Sequence, residues 1–377
     1  MLNPAILQFG TGRFLLAHVD LFVSEALAAG QALGGILVVQ STASAASAAR
    51  TAALAGAAAY PVHIRGIEEG QAVDRTVWCK AVVGAVQAER GWAQVCEAVA
   101  SQVQVIVSNT ADQGYRLDPA DGPALLQERS RAPCSYPAKL LVLLHQRWLQ
   151  QPRAPLSILP CELIERNGDT LRGIVQTLAR EWSLPEPLVQ WLGQHCVWAN
   201  TLVDRIVSEA IDPVGAVAEP YALWAVERRP GLVLPCLHPA IVLTDQLQQH
   251  ERLKLFLLNG GHTFLAERWQ RDGLGAGLTV AQAMNEPALR GELEALWADE
   301  VVPVLAAVGQ GDAARHYLVT LRERLLNPFL AHRLADIAQN HAQKKQRRFA
   351  PVVALARQQG LALAQPRLNA ALAEVGP

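Results

Sequence analysis

The sequence has no excess of charge of either sign. Its 377 residues carry 33 basic and 34 acidic side chains, a formal net charge of −1, so no global field draws the chain to nucleic acid or to an anionic membrane. Six cysteines, at 79, 96, 134, 161, 196 and 236, include no CxxC pair and join no His at zinc-ligand spacing. They read as reduced thiols, with no metal site expected. No apolar run reaches the roughly 18 residues of a membrane span, and Met1-Leu2-Asn3-Pro4-Ala5 lacks the basic and apolar segments of a secretion signal. Internal repeats and low-complexity linkers are missing too. These absences lead to an expectation of a cytoplasmic chain with small-molecule partners, no nucleic acid and no membrane; oligomeric state is not legible.

What the chain has is apolar material. Half of it is hydrophobic (51%), and its length exceeds the size at which single cores stop growing, so two domains are expected. Residues 5–9 form a short apolar run ending at Gly10-Thr11-Gly12, followed by a helical pattern through Phe14, Leu15, His18, Leu21, Phe22 and Leu27. The run from Gly35 to Gln40 has the length and β-branched content of a buried parallel strand and completes a βαβ unit. An alanine-rich segment (43–59) reads as helix and 62–67 as an edge strand. A helix over 91–101 leads to a buried strand at 103–107, and one over about 137–148 leads to another at 156–159. The run from Trp198 to Ile206 is strand-like. From about Thr244 strand signals almost vanish and long amphipathic patterns take over (245–270, 279–299, 301–326, 328–346). The expected architecture is α/β: a Rossmann-like dinucleotide-binding domain over 1–243, then a mostly α-helical substrate and catalytic domain over 244–377.

Gly10-x-Gly12, between a strand and a helix, suits backbone amides that receive a pyrophosphate, where a side chain would hold the phosphate away. Residue 15 is Leu where the usual fingerprint has a third Gly, so a tight structural turn stays open as the alternative. The second strand ends in Gln40-Ser41-Thr42, without the acidic residue that commonly takes the ribose hydroxyls and without an adjacent arginine for a 2′-phosphate. Gln40 is the candidate ribose contact. NAD is the expected cofactor, with NADP not excluded. Asn109, in Ser108-Asn109-Thr110, stands at a strand end where a nicotinamide ribose is expected, although Asn also simply forms turns.

A second cluster of candidates lies in the run from Lys254 through Leu255, Phe256, Leu257, Leu258, Asn259, Gly260 and Gly261 to His262. At about 100° per residue of helix, Asn259 lies roughly 140° and His262 roughly 80° round from Lys254, one broad face. A polar helix edge followed by an Asn-Gly-Gly helix end is the plainer reading. Lys344 and Arg348, four apart on an expected helix, share a face that would suit a substrate carboxylate or simply be solvated.

These motifs in this order resemble the polyol-specific long-chain dehydrogenase/reductase (mannitol dehydrogenase) family. The resemblance rests on Phe9-Gly10-Thr11-Gly12-Arg13-Phe14-Leu15, Ser108-Asn109-Thr110, Pro160-Cys161-Glu162 with Asn167-Gly168, Asn200-Thr201-Leu202-Val203-Asp204-Arg205, and the Lys254, Asn259, His262 spacing. Within the family, Ser135–Leu140, Cys161–Glu165, Glu219–Trp224, Asn259–Thr263, Asn327-Pro328-Phe329 and the Asn340, Lys344, Arg348, Pro351 spacing resemble the tagaturonate reductase (altronate oxidoreductase) branch. The resemblance implies metal-independent hydride transfer between a nicotinamide and a secondary alcohol of a sugar acid or polyol, with tagaturonate/altronate the expected pair. It implies Lys254 as general acid/base, Asn259 as donor to the reacting oxygen, His262 on a neighbouring hydroxyl, Asp204 assisting Lys254 or positioning the polyol, and Arg13 and Phe14 beside the cofactor. Departures stand out: Leu163 where polyol dehydrogenases carry Asn, Leu16 where Arg is common, and Asp112 where Glu is usual. Mannitol or mannitol-1-phosphate dehydrogenase activity, and a non-catalytic dinucleotide-binding relative, are the alternative readings.

Overall fold

The computed structural model describes residues 4–42, 44–110, 114–128 and 130–373. Packing divides the chain into two compact units. The first comprises Met1–His63, Thr76–Ala218 and Ala222–Leu247; the second comprises Ile64–Arg75, Glu219–Tyr221 and Gln248–Pro377.

Eight strands come first in the chain: β1 (Pro4–Phe9), β2 (Gly35–Gln40), β3 (Tyr60–Glu68), β4 (Gln71–Cys79), β5 (Val82–Gln87), β6 (Val105–Ser108), β7 (Leu156–Pro160) and β8 (Cys196–Trp198). Six of them form a parallel sheet in the order β5-β2-β1-β6-β7-β8. Counted among themselves these run 3-2-1-4-5-6, the doubly wound order whose direction reverses between β1 and β6. All six residues of β2 are buried, as expected of a parallel strand covered on both faces. The period of two sorts the side chains. Leu7, Phe9, Leu37, Val39 and Ile106 face a core shared with Trp92, Leu140 and Leu171, from helices Ala88–Ser101, Tyr136–Gln150 and Asn167–Glu181.

Three expectations need correction. The expected edge strand over 62–67 is β3, an interior strand of a second sheet in the order β10-β11-β3-β4, with β10 at Val207–Ala210 and β11 at Ala216–Ala218. Its alternating burial is what the sequence shows; the partners flanking it are short or mostly exposed and carry too little pattern to read. The strand-like run from Trp198 is two strands, β8 and then β9 (Thr201–Asp204), broken at Ala199-Asn200. β9 joins a small sheet in the order β13-β12-β9, with β12 at Leu223–Glu227 and β13 at Ile241–Thr244. The helix expected after the glycine turn is a single turn, Arg13–Leu16, followed by a break and then Val19–Ala28.

In the second unit, helices from Leu247 onward pack around Phe256, Leu293, Trp297 and Phe349. Among the described residues no helix is long and apolar enough to cross a membrane. The Lys254 run takes a form that hydrophobic periodicity does not announce: Lys254–Asn259 is a π-helical turn, continuous with helix Gly260–Arg271. A turn closed by i→i+5 bonds brings residue i+5 to the place that residue i+4 holds in an α-helix. Asn259 therefore stacks one turn above Lys254, and the angle of roughly 140° read from a 3.6-residue period is replaced by a near-alignment. Asn-Gly-Gly is not a helix end here. The chain stays helical through Gly260, and Gly261 accommodates Trp297, whose Cζ2 would lie 2.9 Å from an added Cβ. The Trp297 indole donates to the Leu257 carbonyl inside the π turn at 3.3 Å.

Two outcomes are expected. Gly260→Ala, whose Cβ would meet nothing closer than the Leu255 carbonyl at 3.5 Å, gains up to about 1 kcal/mol of helix propensity. Gly261→Ala must displace a packed indole and loses about 1–3 kcal/mol. Denaturant unfolding of the pair reads both signs. The second outcome concerns Asp20, which is fully enclosed with Oδ1 lacking a partner among the described residues. Burial lifts this carboxyl from 3.8 to about 7 against the Tyr60 hydroxyl that donates to Oδ2 at 2.8 Å. The folded chain keeps a proton there that the unfolded chain releases near pH 4. Stability from this group is thus full at acid pH and is lost as pH rises toward 7. Asp20→Asn should raise the unfolding free energy at about pH 8, read by denaturant titration, by at most about 4 kcal/mol at roughly 1.4 kcal/mol per unit, with the gain vanishing near pH 4.

Candidate active site

In the first unit, β1 delivers the chain to Gly10 at the carboxyl edge of the sheet, beside the reversal of strand order. Gly10 has φ +122°, and a Cβ there would come within 2.8 Å of the Asn109 carbonyl, so only glycine fits. At Gly12 nothing lies within 4 Å of an added Cβ. Open space beside backbone amides is what a pyrophosphate requires, so the cradle fits a dinucleotide. Arg50 donates from Nη1 to the Thr11 carbonyl at 3.0 Å, holding the turn and placing a guanidinium beside it. Arg13 is exposed, whereas Phe14 is half-buried and stacked on His18 with ring centroids 4.8 Å apart. A cavity of about 440 Å³ opens at the ends of β2 and β6, where its lining includes Ser41, Thr42, Thr110, Arg116 and Tyr136.

Gln40 is occupied by its own loop. Nε2 donates to the carbonyls of Thr42 (2.6 Å) and Ser44 (3.3 Å), and Oε1 accepts from Thr51 at 3.0 Å. The side chain shapes the end of β2. Asn109 is half-buried and spends its amide N–H on the Cys161 carbonyl at 2.8 Å, tying the end of β6 to that of β7.

The separated motifs of the sequence meet along this edge. Glu162, which sequence reasoning left without a role, is a buried hub. Its oxygens accept from Ser108 Oγ (3.0 Å), the Thr110 amide (3.0 Å), Thr110 Oγ1 (2.9 Å) and the Tyr115 hydroxyl (3.3 Å). Burial pushes its pKa up while these donors favour the anion. Asn167 donates to the carbonyls of Pro160, Glu162 and Thr201, and its Oδ1 accepts from the amides of Gly168 and Thr201. Asn200 donates to Asp169 and Glu227. Asp204 closes β9 and is 2% exposed, a buried position. Arg205 donates to the Ala17 carbonyl at 2.6 Å. Leu163 is 75% exposed at the end of β7. Leu16 is fully enclosed, a core position rather than a ligand position. Asp112 lies outside the described residues.

The second unit gathers the other candidates. Lys254 and Asn259 are half-buried and aligned by the π turn; His262 follows one turn on, 7% exposed. Arg348 donates from Nη1 to the Asn259 carbonyl (3.2 Å) and to Thr263 Oγ1 (2.8 Å). It therefore buttresses the π turn; its Nη2 and Nε make no hydrogen bond among the described residues. Lys344 donates to the Ile337 carbonyl at 2.7 Å. Burial, and then the charge of Arg348, lower the Lys344 pKa, and burial lowers that of Arg348. The solvated-face reading does not describe half-buried cations. Two neighbours had no signal of their own in the sequence. Thr263 was visible only as part of a motif, and His332, whose ring lies edge-on to His262 at 5.0 Å, is distant along the chain. Among the described residues no group of three or more His, Cys, Asp or Glu is placed to hold a metal ion.

Comparison with known proteins identifies the family. The mannitol dehydrogenase Rossmann domain model matches residues 4–232, and the mannitol dehydrogenase C-terminal domain model matches residues 246–375. Altronate oxidoreductase of Halalkalibacterium halodurans is 30% identical over 374 residues, covering 93% of this chain and 70% of that one. The Klebsiella pneumoniae altronate oxidoreductase is 30% identical over 393 residues, 98% of this chain and 78% of that one. A substrate-free D-sorbitol dehydrogenase superposes with a TM-score of 0.80 at 18% identity, over 99% of this chain and 80% of that one. Pseudomonas fluorescens mannitol 2-dehydrogenase, solved with NAD and D-mannitol, gives 0.76 at 20% identity over 99% and 79%. With both family models matched in order over nearly its whole length, the chain belongs to the mannitol dehydrogenase family, dehydrogenases that act on secondary alcohols.

Proposed function

We propose that this enzyme interconverts a ketose acid of the tagaturonate type and its hexonate, altronate, using NAD(H), with residues 1–243 binding the dinucleotide and 244–377 supplying the proton chemistry and substrate recognition. The observation that carries the reading is the cluster on the second unit, where Lys254 and Asn259 share one face and Lys344 and Arg348 add two half-buried cations. Relatives named altronate oxidoreductase, aligned over nearly the full chain, support the sugar acid over a neutral polyol. Gly10, Gly12, Arg13, Phe14 and Asn109 are assigned to the dinucleotide, with Gln40 acting through the loop that it shapes. NAD is proposed over NADP because no arginine stands beside Gln40-Ser41-Thr42 in the sequence to take a 2′-phosphate.

When bound, a nicotinamide supplies or accepts the hydride. The chain's own residues manage the proton and the charge. Lys254 takes the hydroxyl proton in oxidation and returns it to the carbonyl oxygen in reduction; a half-buried amine between Leu253 and Leu255 is suited to this. The Asn259 amide N–H donates to the same oxygen as it gains negative charge, a contact whose loss typically costs ~2.7–4 kcal/mol. His262 bonds a neighbouring hydroxyl, Asp204 positions the polyol chain, and Arg348 and Lys344 take the carboxylate, for which a guanidinium fork and an ammonium point charge are suited.

Lys254→Ala should lower turnover by about 10²–10⁴-fold while nicotinamide affinity, read by fluorescence titration, stays nearly intact. Asn259→Ala should lose about 10²–10³-fold. A rate panel with tagaturonate, fructuronate, fructose and fructose 6-phosphate, each with NADH and NADPH, tests substrate and cofactor together. Turnover of fructose 6-phosphate alone defeats the sugar-acid reading, and unimpaired turnover by Lys254→Ala defeats the mechanism.

A further inference from the structure

Beside His262 the helical unit holds a second imidazole in a fixed backbone setting. The His332 carbonyl accepts from the Val280 amide at 2.9 Å, the Leu334 amide donates to the Leu278 carbonyl at 2.9 Å, and Thr279 and Arg333 form an isolated antiparallel bridge between them. The residue therefore sits on a two-stranded clasp, and its ring can be presented with little loss of backbone freedom. The ring is edge-on to His262, centroids 5.0 Å apart and planes 65° apart. Nδ1 is enclosed and has no hydrogen-bond partner; Nε2 is not enclosed and likewise makes no hydrogen bond among the described residues. A buried polar atom left unbonded needs an explanation. Keeping the single proton of a neutral ring on Nε2 leaves no N–H on the enclosed side and makes the open edge a donor. Burial lowers the His332 pKa, Asp336 raises it and Lys344 lowers it, which favours the neutral ring near neutral pH.

We infer that His332 is a substrate-specificity residue: its Nε2–H donates to the carboxylate of the sugar acid, alongside Arg348 and Lys344, while His262 serves the hydroxyl chain. The inference rests on the sugar-acid reading proposed above and names the group that would separate an acid from a neutral ketose. The chemistry favours it. Arg348 already spends Nη1 on the Asn259 carbonyl and Thr263, and Lys344 spends a proton on the Ile337 carbonyl. A carboxylate offers about four lone-pair sites, so a further neutral donor completes its shell without adding charge to a cluster in which Arg348 already lowers the pKa of Lys344.

The experiment compares initial rates on D-tagaturonate and on the neutral ketose D-tagatose, with NADH, for wild type, His332→Ala and His332→Asn. Each ratio is taken on one preparation, so loss of folded protein cancels. The expected result is a fall of about 10- to 100-fold in kcat/KM for tagaturonate with His332→Ala, carried mainly by KM, as for loss of a hydrogen bond to a charged group. Tagatose turnover stays nearly unchanged, and His332→Asn, which keeps an N–H donor, recovers part of the loss. Equal losses on both ketoses, or an unchanged preference in His332→Ala, overturn the inference. A wild-type enzyme with no preference for the acid overturns the sugar-acid reading itself, an outcome visible before any variant is compared.

Discussion

Glu267 is 4% exposed and accepts from two residues of helix His341–Arg348: His341 Nε2 at 2.7 Å and Lys345 Nζ at 3.0 Å. Burial is the largest influence on His341 and lowers its pKa despite the adjacent carboxylate, so the charge pairing falls to Lys345 while His341 contributes a neutral N–H. Removing one partner of such a buried pair typically costs about 3–5 kcal/mol because the other charge is left uncompensated. The interaction thereby fixes helix His341–Arg348 against helix Gly260–Arg271. Everything proposed for the substrate side depends on that register. One turn along from Lys345, Arg348 reaches the Asn259 carbonyl and Thr263; on the neighbouring position, Lys344 reaches Ile337. The amide proposed to meet the reacting oxygen is thus held through its own backbone by a residue of another helix.

The first unit solves the corresponding problem with uncharged partners. Strand ends are where a parallel sheet runs out of ladder hydrogen bonds, and loops leaving them must be tied down by side chains. Glu162 and Asn167 do this between them, gathering Ser108, Thr110, Tyr115, Pro160 and Thr201 into one network. Such a network is rigid when every member is satisfied and costly when one is not. The Cβ that Gly168 lacks would sit 2.4 Å from the Ala199 carbonyl, so even the approach of the backbones there admits no substitution without movement.

Much of this was legible in the residues, for reasons that can be named. β1, β2, β6 and β7 are short apolar runs bounded by turn residues, and a parallel strand covered on both faces has to look that way. β4 is mostly exposed and β10 and β11 are only four and three residues long, so no periodicity could mark them. The π turn escaped because a 3.6-residue template was laid on a segment that does not follow it; nothing in KLFLLN distinguishes i→i+5 from i→i+4 closure until Trp297 and Arg348 are seen donating to its carbonyls. Gln40 illustrates the opposite error. Its position at the end of β2 was read correctly, but the loop that follows it supplies carbonyls and Thr51 supplies a hydroxyl, and they take the amide that a ribose would need. His332 had no local signal at all, since its pairing with His262 exists only in three dimensions.

The cations of the second unit are held at a cost. Burial lowers the pKa of Lys344, Arg348 and His332, and Lys344 is lowered further by Arg348 and lowers His332 in turn. For Lys345 the chain supplies a carboxylate within the same helix pair, so anionic partners were available to this fold. At Lys344 and Arg348 it supplies carbonyls and a hydroxyl instead, which orient the side chains without neutralising them. Unneutralised, half-buried positive charge weakens the fold, and sequences keep such local conflicts where function requires them. A ligand bearing a carboxylate would relieve the conflict, a neutral polyol would not, and this difference is the physical content of preferring the sugar acid.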